Sequence, residues 1–229
     1  MDFFKALLGG DTPEFVRCAC GTMSTIAPCW ECAKASEVQH VEAQADADRG
    51  IPARFRWARL DSPELEARVH VAERRGRIPT AQQAAAAMLS HPGPAVTLVG
   101  PAGSGKTSLA VAAMRGVPRA LYVAAASLER ARIEHRAGDG ESPLVARAMR
   151  APLLVIDDVG QDKPSSVSAL EAVILARHDA ELRTWVTTGL GGSVATVQAA
   201  LDARYNAGVA RRLCESGTAL VIGFTGGKP

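Results

Sequence analysis

The segment Gly100-Pro101-Ala102-Gly103-Ser104-Gly105-Lys106-Thr107 follows the spacing G-x-x-x-x-G-K-[ST], after an apolar run and before a helix-like stretch. Glycines at 103 and 105 let backbone N–H groups turn toward phosphate oxygens, and the following helix, with Ser108 in its first turn, adds free amides and a positive dipole end. That is a cradle for a nucleoside triphosphate, read here as ATP. Lys106 is expected to reach the β- and γ-phosphates and the Thr107 hydroxyl to ligate magnesium. An ordinary glycine-rich turn is the competing reading. About fifty residues on, Leu153-Leu154-Val155-Ile156-Asp157-Asp158 is an apolar run ending in two carboxylates, the hard oxygen donors that magnesium prefers. Asp157 is expected to hold the metal through water and Asp158 to act as general base on the attacking water. A strand that merely ends at the surface is the alternative.

A second chemistry lies near the start. Cys18 and Cys20, then Cys29 and Cys32, form two close pairs separated by eight residues, with Gly21 and Pro28 placed to bend each pair into a knuckle. Four thiolates at such spacing suit tetrahedral zinc in a closed structural site. The first fifty residues are too few and too polar to form a core, so that metal would largely decide their folding, contributing roughly 10 kcal/mol or more. A redox-active or adventitious cluster is the competing reading. His40 is a substitute ligand or a solvated helix residue, and Cys214 is read as a packing residue.

The elements that must position these groups follow from the apolar pattern. Short runs (Ala95 to Val99, Ala120 to Ala124, Leu153 to Ile156, Trp185 to Thr187, Ala219 to Ile222) alternate with helix-like segments (Thr107 to Arg115, Leu128 to Arg136, Ser165 to His178, Val194 to Arg204). Such alternation predicts an α/β fold, a parallel sheet flanked by helices on both faces. The Ala/Glu/Gln-rich stretch Ala33 to Arg49 reads as a helical linker broken by Gly50-Ile51-Pro52, so residues 1–50 form a zinc-binding module with linker and residues 51–229 a nucleotide-binding domain. A chain of 229 residues with 47% hydrophobic content accommodates one such core and a small appendage. With a net charge of +2, attraction of the whole molecule to nucleic acid is not indicated, and any such contact requires a local patch. The opening MDFFKALLGG is far shorter than the roughly 20 apolar residues of a membrane helix and lacks a basic start and a cleavage site. The expectation is a cytoplasmic protein without membrane association.

Taken together with Gly50-Ile51-Pro52-Ala53-Arg54-Phe55, LLVIDDVG from Leu153 to Gly160, and Arg183-Thr184-Trp185-Val186-Thr187-Thr188, these motifs resemble the DnaC/DnaI-type helicase loaders among the AAA+ P-loop ATPases over nearly the entire chain. Transposition helper ATPases of the IstB type share much of the pattern. The zinc-binding amino-terminal module is similar to the DnaI arrangement, in which that module grips a replicative helicase. The resemblance implies an ATPase that loads a replicative hexameric DNA helicase onto single-stranded DNA in replication initiation. An IstB-like transposition helper, or a nucleotide-gated adaptor with little hydrolysis, is the alternative. Departures accompany it. Where the family reads T-T-N, this chain has Thr187-Thr188-Gly189, so a hydroxyl, that of Thr188 or of Thr187, stands in for the polar γ-phosphate sensor. Asp158 occupies the usual place of a glutamate one methylene longer, which predicts slow turnover unless the loop compensates. Only Thr225 to Pro229 follow Phe224, and a separate lid sensor is not expected.

The resemblance also implies an arginine supplied to a neighbour's ATP, with Arg212 preferred over Arg204 and Arg211, and therefore self-association. Solvated helix charges are the alternative. It further places DNA contacts in Leu128 to Arg150, where Arg130, Arg132, His135, Arg136, Arg147 and Arg150 interleave with Glu129, Glu134, Asp139 and Glu141. Finally, Phe3, Phe4, Leu7 and Leu8 are expected on one face of a short amino-terminal helix, covered by a partner helicase or packed on the zinc module.

Overall fold

The computed structural model describes residues 16–24, 27–73, 76–136, 138–160 and 168–226. The amino-terminal helix expected around Phe3 to Leu8 lies outside the described residues, as does the beginning of the helix expected from Ser165. The chain divides into two compact units, Met1–Ala47 and Asp48–Pro229. Described residues of the first comprise β1 (Val16–Arg17) and β2 (Met23–Ser24), an antiparallel pair, followed by α1 (Trp30–Asp48), which runs to the unit boundary. The helix begins three residues before the expected Ala33 and takes Cys32 into its first turn. It is polar nearly all round, and its Ala, Glu and Gln content rather than a buried face favours the helical state.

The second unit starts with a 3₁₀ turn (Ala53–Phe55), α2 (Pro63–Arg68) and α3 (Ala81–Ser90). It continues through β3 (Ala95–Val99), α4 (Lys106–Met114), β4 (Leu121–Ala124), α5 (Ala125–Glu134), α6 (Pro143–Arg150) and β5 (Leu153–Val159). It ends with α7 (Ala169–Asp179), β6 (Arg183–Thr188), α8 (Val194–Arg204), α9 (Ala207–Cys214) and β7 (Ala219–Gly223). The strands form one five-stranded sheet in the order β4-β5-β6-β3-β7, and every neighbouring pair is parallel. Because helices cover both faces, the strands read as near-continuous apolar runs. Val96, Leu98, Leu153, Val155 and Trp185 face a core shared with α3 and α4. Val99, Leu154, Ile156 and Val186 point the other way, into a core with Leu128, Val145, Val173 and Val209.

Local chemistry starts the helices where they start. Ser62 accepts from the Glu64 amide with Pro63 in the first turn, Thr80 forms a reciprocal capping box with Gln83, and Asn206 accepts from the Val209 amide. Four described helices exceed the alternation read from the sequence: α2, α3, α6 and α9, each of ten residues or fewer. α6 and α9 carry arginines that drew attention as charges rather than as parts of amphipathic helices, yet each buries one face.

The second unit also contains a guanidinium with no exposed surface. Arg177 of α7 donates from Nε to the Thr184 hydroxyl, from one terminal nitrogen to the carbonyls of Ala148 and Ala151, and from the other to that of Arg183. Its partners are neutral, and burial lowers its pKa to about 10. It satisfies carbonyls at the end of α6 that would otherwise be orphaned, tying α6, α7 and β6 together. Replacing Arg177 by Leu is expected to lower stability by about 2–4 kcal/mol, since several buried acceptors lose their donor at once. A thermal melt is expected to show the midpoint down by roughly 5–15 °C, with Arg177→Lys recovering only part of the loss.

Candidate functional site

The site forms at the carboxyl ends of the parallel strands, where β3 runs into the phosphate loop and β5 into the two aspartates. Backbone approach dictates the glycines. A Cβ on Gly100 would lie 2.5 Å from the Phe224 carbonyl oxygen, and one on Gly105 2.5 Å from that of Arg68, with φ of +147° and +86°. Gly105 directly precedes α4. The His70 amide donates to the Ser104 carbonyl at 3.1 Å, so the loop is wedged between Arg68–His70 and Phe224. Lys106 opens α4, and its ammonium donates to the carbonyls of Gly100 (2.8 Å) and Pro101 (2.6 Å) and to Ser104 Oγ (3.3 Å). Burial lowers the Lys106 pKa, against the opposing charges of Asp158 and Asp157.

Asp157, 2% exposed, accepts three hydroxyl hydrogens. Thr107 Oγ1 (2.7 Å) and Thr187 Oγ1 (2.6 Å) donate to Oδ1, and the Tyr122 phenol donates to Oδ2 at 2.5 Å. Residues fifty positions apart therefore meet in one pair of hard oxygens, a donor set that fits magnesium. Successive residues of a regular strand point to opposite faces, yet Asp157 and Asp158 border one cavity. The reason is a break in register between Ile156 and Val159, with Asp158 at φ +58°. The bulge re-aims the side chain, and the Asp158 amide is held by Thr187 Oγ1 at 3.0 Å. Burial, then the charge of Asp157, raises the Asp158 pKa, with Lys106 and Arg54 opposing.

The cavity has a volume of about 750 Å³ and is bordered by Ala102 to Ser108, both aspartates, and Arg54, Phe55, Trp57, Ala67, Arg68, His70 and Gly226. The wall from Arg54 to His70 lies outside the site expected from sequence, where Arg54 and Phe55 enter only with the motif at the entrance of the second domain. Its signal was the alternation of arginine with aromatics. Arg54 lies over the Phe55 ring at 4.8 Å and Arg68 over the Trp57 ring at 4.7 Å. Tyr122 was also missed, being an ordinary residue of an apolar run.

Other expected residues are placed as follows. The hydroxyl that reaches the aspartates is that of Thr187, whereas Thr188 Oγ1 accepts from the Leu190 amide. Arg212 donates to the Gly208 carbonyl (3.2 Å) and pairs with Asp179 (3.4 Å). Arg211 faces Glu215 at 3.8 Å. Arg204 lies over the Tyr205 ring at 5.9 Å, and its buried Nε has no hydrogen-bond partner among the described residues. Arg132 pairs with Glu141 and donates to the Ser168 carbonyl, and Arg147 donates to the Asp48 carbonyl. Two of the arginines expected to form a basic strip are thus engaged within the chain.

In the first unit, the sulfur atoms of Cys18, Cys20, Cys29 and Cys32 all lie within 4.8 Å of one another. The Cys18 amide donates to the Thr22 carbonyl and the Cys29 amide to Cys18 Sγ (3.4 Å), while Cys29 directly precedes α1. Hydrogen bonding with the side chain and backbone of Thr22 lowers the Cys20 pKa to about 6, whereas Cys20, Cys18 and Cys29 together raise that of Cys32 to about 12. Four convergent thiols suit a soft or borderline cation. Cys214 is buried in the sheet core, as expected of a packing residue. No described helix is long and apolar enough to cross a membrane.

Among solved structures, the fold is similar to that of the DnaC helicase loader, with a TM-score of 0.56 and 24% identity over 75% of this chain and 99% of that one. A candidate primosome component from Streptococcus pyogenes serotype M3 gives a TM-score of 0.53 at 18% identity, over 78% of this chain and 91% of the other. Replication initiator DnaA bound to AMPPCP and single-stranded DNA gives 0.52 at 18% identity, over 70% and 50%. These likenesses show an AAA+-like fold. No curated protein matches at a significant level. The family described as IstB-like ATP binding protein matches residues 65–188, more than half of the chain, from within α2 to the end of β6. With its phosphate loop, its acidic strand end and that match, the chain belongs to the family of IstB-like ATP-binding proteins.

Proposed function

We propose that this protein is a cytoplasmic ATPase that loads a replicative hexameric DNA helicase onto single-stranded DNA. The observation that carries the enzymatic part is the meeting of Thr107, Asp157 and Asp158 beside Lys106 in one cavity. Amides of the Gly100–Ser108 segment bind the triphosphate, and Lys106 exchanges its carbonyl partners for β- and γ-phosphate oxygens. Thr107 and Asp157 would hold magnesium, which would supply charge neutralisation for the phosphates. Asp158 takes the proton of the attacking water, and Thr187, holding both aspartates, stands in the sensing position. Of the three arginines, Arg204 is better suited than Arg212 to reach a neighbouring copy's phosphate, because Arg212 is engaged with Asp179 and Gly208. The four cysteines hold zinc and shape the module that grips the helicase.

Loading is favoured over transposition help by the four-cysteine module and by a fold shared with a helicase loader along nearly that whole chain. Family membership itself does not separate the two. One observation favours the second reading of a weakly hydrolysing adaptor: Asp158 is short, sits in a left-handed backbone conformation and is partly desolvated.

Three outcomes are expected. Purified protein captures the host's replicative helicase in ATP and releases phosphate, and Lys106→Ala reduces phosphate release by roughly 10²-fold or more; capture of a transposase instead of the helicase would refute loading. As general base, Asp158 must be deprotonated, and its raised pKa moves the acid limb of the kcat–pH profile to higher pH than an ordinary aspartate gives. Asp158→Asn is expected to lose that limb and about 10²-fold in kcat, whereas a wild-type profile without an acid limb argues for the adaptor. Metal analysis is expected to find one zinc per chain, lost in Cys29→Ser together with helicase capture, while ATP affinity stays within about twofold because the second unit has its own core.

A further inference from the structure

Tyr122 belongs to β4, which contributes neither the phosphate loop nor the acidic residues, yet its phenol is one of the three donors on Asp157. It holds Oδ2, whereas Thr187 holds Oδ1. A carboxylate turns easily about its terminal torsion, and donors on both oxygens stop that rotation. Tyr122 is 5% exposed, and a phenol keeps its proton at neutral pH and so remains a donor there.

The same residue is fastened to the beginning of the second unit. Its amide donates to the Arg49 carbonyl at 2.7 Å. Gly50 has φ +76°, and a Cβ there would lie 2.5 Å from the Tyr122 carbonyl oxygen. The Tyr122 ring stands 6.5 Å from the Phe55 ring at 52°, and Phe55 borders the cavity. The segment that follows α1 is thereby connected, through one side chain, to the carboxylate opposite the phosphate loop.

We propose that Tyr122 is a positioning residue for Asp157 and that it couples the Arg49–Phe55 segment to metal binding at the nucleotide site. This rests on the magnesium–ATP reading above. Contacts to a metal ligand from behind typically govern metal affinity by 10- to 100-fold, so the effect belongs in the magnesium requirement rather than in nucleotide affinity as such.

The test uses the full chain and a fluorescent, non-hydrolysable ATP analogue, titrated with magnesium and separately measured in EDTA. Tyr122→Phe, which removes only the hydroxyl, is expected to raise the half-saturating magnesium concentration roughly tenfold while affinity in EDTA stays within about twofold. Added to Asp157→Asn, it is expected to change nothing further, as required of a residue that acts through Asp157. Gly50→Ala, which presses on the Tyr122 backbone and displaces the phenol without removing it, is expected to shift the magnesium titration in the same direction and provides the reading should Tyr122→Phe melt without cooperativity. An unshifted magnesium titration in Tyr122→Phe, or equal losses with magnesium and in EDTA, overturns the positioning role; an unshifted Gly50→Ala overturns the coupling. Wild-type protein without magnesium-dependent affinity overturns the ATP reading itself, an outcome distinguishable from either.

Discussion

Asp157 is a carboxylate almost excluded from water, and the cost of keeping it there is met by three hydroxyl donors from three different elements. Thr107 comes from α4, Tyr122 from β4 and Thr187 from β6, so the carboxylate is satisfied only while the helix and both neighbouring strands hold their places around β5. The parallel order β4-β5-β6 supplies that arrangement directly: Tyr122 and Thr187 stand on the strands flanking the one that carries the acid. Thr107 comes from farther away, because the loop after β3 must return over the sheet before α4 begins. Function and fold therefore depend on the same register. Moving any one of these strands by a residue would turn its hydroxyl to the other face of the sheet.

Immediately beyond this well-satisfied group the strand breaks its own rules. Asp158 adopts a positive φ, a conformation that costs a non-glycine residue on the order of 1 kcal/mol or more. The hydrogen bond its amide donates to the Thr187 hydroxyl and the resumed pairing of Val159 with Thr188 secure the bulge on both sides. The result is a second carboxylate on the same cavity as the first, facing a lysine whose burial favours the neutral form. Opposite charges here oppose one another's desolvation.

What was legible in the sequence is what depends on short spacing. The phosphate loop, the apolar run before Asp157 and the paired cysteines are local patterns, and the parallel α/β architecture follows from the alternation of those runs. Tyr122 illustrates the other kind of residue. Nothing adjacent to it signals a role, because its partner is thirty-five positions away and is brought near by strand pairing alone. The cavity wall from Arg54 to His70 is similar: arginines alternate with aromatics there, and only the fold lays that segment against the loop. Thr187 and Thr188 were both visible, but which hydroxyl faces the aspartates is settled by the two-residue period of β6 and by the bulge opposite it.

Arginines show most clearly why composition is a weak guide to partners. In sequence, Arg132, Arg147, Arg177, Arg204 and Arg212 are equivalent positive charges, and several invite a reading as ligands of phosphate. The structure sorts them by what their donors already hold. Arg177 has spent its guanidinium on carbonyls and a hydroxyl inside the protein, and Arg132 is held by Glu141 and the Ser168 carbonyl beside the start of α7. Arg212 retains a weak, largely solvated partner in Asp179, an arrangement worth little energetically but sufficient to orient the side chain along its own surface. Arg204 differs in kind. Its guanidinium rests on Tyr205, whose hydroxyl accepts the Gly160 amide just beyond the two aspartates, so the side chain is positioned by the strand end that carries the chemistry. A charge held by an aromatic face differs from one paired with a carboxylate, and that surrounding, rather than the number of basic residues nearby, is what sets Arg204 apart from the others.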